Sequence, residues 1–244
     1  MAIKIYLSPS DQTANKYAAG STNEDKQCER IADACAAALK RCGFEVKNNK
    51  TSSMAARIAE SNRWGADLHV PIHTNAFNGK TSGTRLFCWS KSGEGYKACK
   101  AIFNVLAPLT PGTSENITAR QDLAELRDTT AVCCYVEADF HDVKNVAKWI
   151  IENVEEIGEA IAKGICSYFE VAYVPPVEEP LPVYRVELGE YGTIKEADAN
   201  LGAIYAAITT TKAAVTSAET ALTEARNKLA ELETVLRKAK IVER

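Results

Sequence analysis

From Ile3 to Phe169 two kinds of apolar pattern alternate, and this alternation restricts the fold more than any other feature of the chain. Short, near-continuous apolar runs at Ile3–Leu7, Phe44–Val46, Ala66–Ile72, Thr84–Trp89 and Ala131–Val136 predict strands. Between them lie segments whose apolar residues recur every three or four positions. The first, about Glu24–Cys42, carries the stripe Cys28, Ile31, Cys35, Leu39 and Cys42, is capped by Thr22 or Asn23, and stops at Gly43. Further helices are expected from Thr51 or Ser52 to Gly65, over Tyr96–Leu106, and as one long helix over Lys144–Phe169. Strands separated by helices predict an α/β fold: a twisted, mostly parallel sheet flanked by helices. Ligands of such sheets bind beyond the carboxyl ends of the strands. Asp11, His73 and Glu137 each fall just past the end of a predicted strand, which places them on one rim.

After Phe169 the texture changes. Residues 171–183 contain Pro175, Pro176, Pro180 and Pro182 with two glutamates, the composition of an extended linker. Leu201, Ile204, Ile208, Thr211, Val215, Ala218, Leu222, Ala225, Leu229, Leu232 and Leu236 then repeat at alternating spacings of three and four, a coiled-coil seam. A single helix cannot bury that seam, so self-association through a helical coiled-coil tail is expected. The domain reading is 1–170, a catalytic-sized α/β unit; 171–183, a linker; and 184–244, a short strand followed by the coiled-coil helix. Tyr184-Arg185-Val186-Glu187-Leu188-Gly189-Glu190-Tyr191 followed by Thr193-Ile194-Lys195-Glu196-Ala197-Asp198-Ala199 is similar to the start of a SPOR domain, which would imply peptidoglycan binding.

Composition excludes several classes of function. The net charge of −3 is spread thinly, so no segment attracts a phosphate backbone and a nucleic-acid partner is not expected. No stretch approaches the roughly 18 apolar residues of a membrane span, and MAIKIYLSPS lacks the pattern of a secretory signal. Synthesis in the cytoplasm is the corresponding expectation. The eight cysteines show no CxxC spacing and read as small buried apolar residues in a reducing compartment.

There are three histidines, and two are four residues apart. On a helix His69 and His73 would share a metal. In a strand they point the same way but lie ~13 Å apart, beyond the reach of one ion. His69 therefore reads as a buried strand residue or a support for the site.

Three distant segments, taken together, are more specific. Asn23-Glu24 opens a helix, Pro71-Ile72-His73-Thr74-Asn75-Ala76 ends a strand, and Val136-Glu137-Ala138-Asp139-Phe140-His141-Asp142 follows an apolar run. In order, spacing and context they resemble the type 3 N-acetylmuramoyl-L-alanine amidases over about residues 2–169. The resemblance implies Zn2+ as cofactor, Glu24 and His73 as ligands, and Glu137 as the catalytic acid/base. It implies bacterial peptidoglycan as substrate, cut between N-acetylmuramic acid and L-alanine, and Asn75 as the residue that fixes the loop of His73. Zinc takes nitrogen and carboxylate ligands, leaves a position for water and lowers its pKa, and a carboxylate nearby moves the proton.

The first loop departs from the usual family pattern Asp-Pro-Gly-His-Gly. Here it is Ser8-Pro9-Ser10-Asp11-Gln12, similar to a clostridial-type branch that also carries His-x-x-x-His and Phe-His-Asp. The third zinc ligand stays open between Gln12, Asp11 and His141, ranked in that order. The expected role is that of an endolysin or autolysin acting on the wall after release. A zinc peptidase acting on stem peptides and a non-catalytic wall-binding module are the alternatives.

Overall fold

The computed structural model describes residues 2–50 and 53–176, together with the helical, exposed Gly202 and Ala206. The chain divides into two units, Met1–Glu178 and Glu179–Arg244. The heptad seam, the SPOR-like segment and most of the Pro-rich linker lie outside the described residues. Residues 171–176 are non-helical, and Val174 accepts a bond from Arg41 Nε at 2.8 Å.

The first unit is an α/β sandwich. In chain order its elements are β1 (Lys4–Pro9), α1 (Glu24–Arg41), β2 (Glu45–Asn48), α2 (Met54–Trp64), β3 (Leu68–Asn75), β4 (Arg85–Cys88), α3 (Glu94–Leu106) and β5 (Asn116–Ala119). Then follow α4 (Ala124–Asp128), β6 (Val132–Cys133), β7 (Tyr135–Phe140), α5 (Lys144–Glu152) and α6 (Val154–Tyr168). The sheet order is β2-β1-β3-β7-β4-β5, with β6 also paired to β3. All pairs are parallel except β4 with β7.

Side-chain alternation gives the sheet two unlike faces. Ile5, Leu7, Leu68, Val70, Ile72, Leu86, Val136 and Ala138 point to one side and join the core formed with α1, α3, α5 and α6. Helix α6 comes very close to its neighbours at two glycines. A Cβ on Gly158 would lie 2.6 Å from Ala34 Cβ, and one on Gly164 would lie 2.4 Å from Ile102 Cα. On the other face stand Tyr6, Ser8, His69, His73, Tyr135 and Glu137, covered in part by α2 and α4.

Pro71 sits in a central strand, where a missing N–H would ordinarily break a ladder. Ile72 O accepts from Ser10 N, so Pro71 faces the opposite neighbour. That is where β6 ends and β7 begins, around Cys134, and the gap in the ladder absorbs the missing donor.

The sequence expectations need several corrections. The helix expected over Lys144–Phe169 is two helices, because Asn153 leaves helical geometry (φ −123°, ψ 27°) and its side chain bonds Trp149 O at 2.7 Å. Strands β3 and β7 run further than expected, so His73 lies inside β3 near its carboxyl end and Glu137 lies in the middle of β7, not beyond. The strand expected at Phe44–Val46 is Glu45–Asn48. β5 and α4 were not anticipated; both are short and carry weak periodicity. All eight cysteines are free.

Candidate active site

His73 and Glu137 are partners in the β3–β7 register, so their side chains leave the same face side by side. Glu24 arrives from the opposite layer as the first residue of α1. The helix start is fixed by Asn23, whose Oδ1 accepts from Lys26 N at 3.1 Å, and by Glu24 N donating to Asn15 O at 2.9 Å. From there the Glu24 carboxylate reaches over the strand end, and Oε1 meets His73 Nδ1 at 2.7 Å. Both residues are buried. The His73 ring stacks on Tyr135, with centroids 4.6 Å apart.

The electrostatics follow from this packing. Burial alone would push the Glu24 carboxyl up, but the hydrogen bond and charge of His73 outweigh it and hold the group below its ordinary value. Burial pulls the His73 imidazole down, and the hydrogen bond of Glu24 with the nearby carboxyls of Glu137, Glu24 and Glu125 more than reverses it. Glu137 has no such compensation. Its Oε2 is buried without a hydrogen-bond partner. Desolvation raises its pKa to about 8, opposed by His73, reinforced by Glu24, and opposed again by Arg120.

The other sequence candidates are distributed around this trio. Gln12 is exposed, and its Oε1 accepts from Asn15 Nδ2 at 2.8 Å. The same Asn15 nitrogen donates to Glu24 Oε2 at 2.6 Å, so Asn15 ties Gln12 to Glu24. Asp11 turns elsewhere, with Oδ2 3.5 Å from Arg57 Nη1. His141 is buried in a separate network: Nδ1 is hydrogen-bonded to Thr74 Oγ1 at 2.9 Å, and its ring lies parallel to Tyr17, 4.9 Å away. Burial lowers its pKa, so it is neutral near pH 7. Asn75 bonds locally, Oδ1 accepting from Ala76 N at 2.8 Å, and its carbonyl accepts from His141 N.

His69 lies in a second polar cluster on the same face. Its Nδ1 bonds Ser61 Oγ at 3.0 Å and its Nε2 bonds Glu125 Oε1 at 3.2 Å. Ser8 also donates to Glu125 Oε1, and Arg57 Nε donates to Ser8 Oγ at 2.9 Å. Ser8, Arg57, Ser61, His69 and Glu125 are all essentially inaccessible to solvent. Asn15, Tyr135, Arg57 and Glu125 were missed by sequence reasoning. Asn15 had a faint signal, an amide in the loop between a strand and a capped helix. Glu125 had none, because its five-residue helix is too short to show a period.

Among the described residues no group of three His, Cys, Asp or Glu side chains is arranged to hold a metal ion. The donors that do converge are Glu24 and His73, with the amide of Gln12 one hydrogen-bond link away and the orphaned carboxylate oxygen of Glu137 alongside. Two buried facing donors and an unsatisfied carboxyl oxygen fit a divalent cation, with an amide oxygen as the available third donor.

The profile of the N-acetylmuramoyl-L-alanine amidases matches residues 8–167. The chain belongs to this family. As a member it is by class a cell-wall amidase. Solved structures show the same fold at low identity. The amidase AmiC2 of Nostoc punctiforme is 18% identical with a TM-score of 0.62, over 69% of this chain and 97% of that one. The catalytic domain of CwlV from Bacillus (Paenibacillus) polymyxa is 16% identical with a TM-score of 0.63, over 70% and 100%. The catalytic domain of the CD27L endolysin targeting Clostridia difficile is 21% identical with a TM-score of 0.52, over 68% and 97%. Comparison with the curated proteins gave no match.

Proposed function

We propose that this amidase is zinc-dependent and hydrolyses the bond between N-acetylmuramic acid and L-alanine, with Glu137 as the acid/base. One observation carries the reading: an orphaned carboxylate with a pKa near 8 stands beside the Glu24–His73 pair. Glu24 and His73 would hold the cation, and Gln12, positioned through Asn15, is the favoured third donor. When bound, zinc supplies Lewis acidity towards water and the amide carbonyl.

The remaining chemistry belongs to the chain. Glu137 takes the proton of the attacking water and returns it to the nitrogen of the departing alanine. A pKa near operating pH suits both halves of that cycle. Tyr135, stacked under His73, fixes the imidazole plane and excludes water from that side. Asn15 restrains Glu24 and Gln12 together. The Ser8–Arg57–Glu125–His69 cluster supports β1 and β3 beneath the site. Action on the wall after release from the cytoplasm, as an endolysin or autolysin, belongs to this reading. So does self-association through the heptads of 201–236, supported by their sequence spacing.

The test is product analysis on purified peptidoglycan. The amidase reading expects new N-terminal alanine with intact glycan, loss of turnover on chelation, and recovery with zinc. Release of peptides that leave muramoyl-alanine intact would identify a peptidase instead. Turnover that persists without any metal would remove the zinc proposal.

A further inference from the structure

Beside Glu137 the same face of the sheet opens into a groove of about 430 Å³, within the roughly 300–1,000 Å³ of small-ligand sites. Arg85, Phe87 and Phe140 line it, with Asn75, Asn116 and Thr118. Arg85 is the direct β4 partner of Glu137. Its guanidinium lies 5.8 Å over the Phe140 ring, and Nη2 donates to Ser114 Oγ at 2.6 Å. Its Nε is buried and has no hydrogen-bond partner. Among the described residues Arg85 forms no ion pair, whereas the neighbouring Arg120 is held by Asp122 at 2.6 Å. Its backbone is well fixed: Asp139 accepts from Gly83 N at 2.6 Å and from Gly112 N at 3.2 Å, tying the entries to β4 and β5 against β7.

A half-buried guanidinium that lines a groove, lies over an aromatic ring and forms no ion pair among the described residues is suited to receive an anion with two oxygens. Residues directly opposite in an antiparallel pair lie about 4.5–5.5 Å apart at Cα. A carboxylate one residue beyond the scissile amide is therefore within reach of Arg85 when the amide is at Glu137.

We propose that Arg85 binds the free carboxylate of the acidic second residue of the stem peptide, so that the enzyme selects peptides in which this group is not amidated. This rests on the amidase reading above. It makes Arg85 a specificity residue and the groove the peptide side of the site.

The experiment compares hydrolysis of N-acetylmuramoyl-L-alanyl-D-glutamate with that of its α-amidated form, N-acetylmuramoyl-L-alanyl-D-isoglutamine, by the zinc-loaded full chain. Wild type is expected to favour the free carboxylate roughly ten- to hundred-fold in kcat/KM, mostly through KM, as befits a charge-assisted bond. Arg85→Ala erases the preference by weakening only the acidic substrate, and Arg85→Lys keeps part of it. Equal cleavage of both substrates by wild type, or an equal loss on both in Arg85→Ala, overturns the proposal. Should wild type cut neither, the amidase reading itself has failed. The groove is then judged by the Arg85 Nε–H resonance: a shift with L-alanyl-D-glutamate but not with its amide supports it, and no shift overturns it.

Discussion

The two faces of the β3–β7 pair are a few ångströms apart and are built on opposite principles. On one, Val70, Ile72, Val136 and Ala138 join an apolar core whose helices pack so closely that Gly158 and Gly164 are required where α6 touches α1 and α3. On the other, the intervening residues are polar: His69 and His73 are buried and Glu137 is half-buried. The first face derives its stability from apolar burial and close packing. The second compensates each buried charge with a partner, as with Glu125 and His69 or Glu24 and His73, and leaves Glu137 uncompensated. Proteins tolerate such an exception where it serves chemistry, and the contrast locates the site better than any one residue does.

The contrast can be broken most forcefully at Glu125. Glu125→Ala removes the carboxylate shared by Ser8 and His69 and should cost ~3–5 kcal/mol in urea unfolding, the usual penalty for stranding buried partners. A cost below ~1 kcal/mol would mean that the polar face is wet and that its pairing is incidental. On the apolar face, Gly158→Ala inserts a methyl 2.7 Å from Cys35 N and Ile31 O. We expect a loss of about 1–3 kcal/mol, with turnover per folded molecule preserved. Loss of turnover at unchanged stability would show that the faces are not independent.

A third comparison uses pH. In the metal-free protein the folded state holds the Glu137 proton up to about pH 8. The unfolded chain releases it near the ordinary carboxylate value. Folding therefore loses stability from this group as pH rises between those limits. Metal-free Glu137→Gln should gain on wild type by about 1–2 kcal/mol between pH 5 and pH 8, after discounting for partial exposure. Parallel stability curves for the two proteins would mean that the carboxylate is adequately solvated. The smallest effect is expected at the rim. Arg41→Ala loses a part-exposed pair with Glu159 and should change stability by less than about 1 kcal/mol. A larger change would assign weight to the docking of residues 171–176, since Arg41 also bonds Val174 O.

The apolar face was legible in the sequence because helical stripes and short strand runs are repeated signals. The stripe Cys28, Ile31, Cys35 and Leu39 of α1 is buried as its spacing implied. The polar face was legible only where a motif marked it. Glu24, His73 and Glu137 are placed together, but nothing in the local pattern of Arg57, Glu125 or Arg85 connects them with residues far away in sequence. Their roles depend on the β1–β3 and β4–β7 registers, which sequence periodicity does not specify. The break at Asn153 escaped notice for a related reason. The apolar period continues across it, and only one side-chain-to-backbone bond interrupts the helix. The choice among Gln12, Asp11 and His141 was likewise undetermined from sequence. In the structure the three side chains have different partners: Asn15, Arg57 and Thr74 respectively.

The account stands or falls on whether Glu24, His73 and Glu137 operate around a single cation. Zinc content and turnover, measured together for the wild type and for Glu24→Ala, His73→Ala and Glu137→Gln, test this most directly. Wild type and Glu137→Gln should each hold about one equivalent, Glu24→Ala and His73→Ala should hold little, and all three variants should lose at least ~100-fold in turnover. Full zinc and full turnover in Glu24→Ala or His73→Ala, or an undiminished Glu137→Gln, would contradict it.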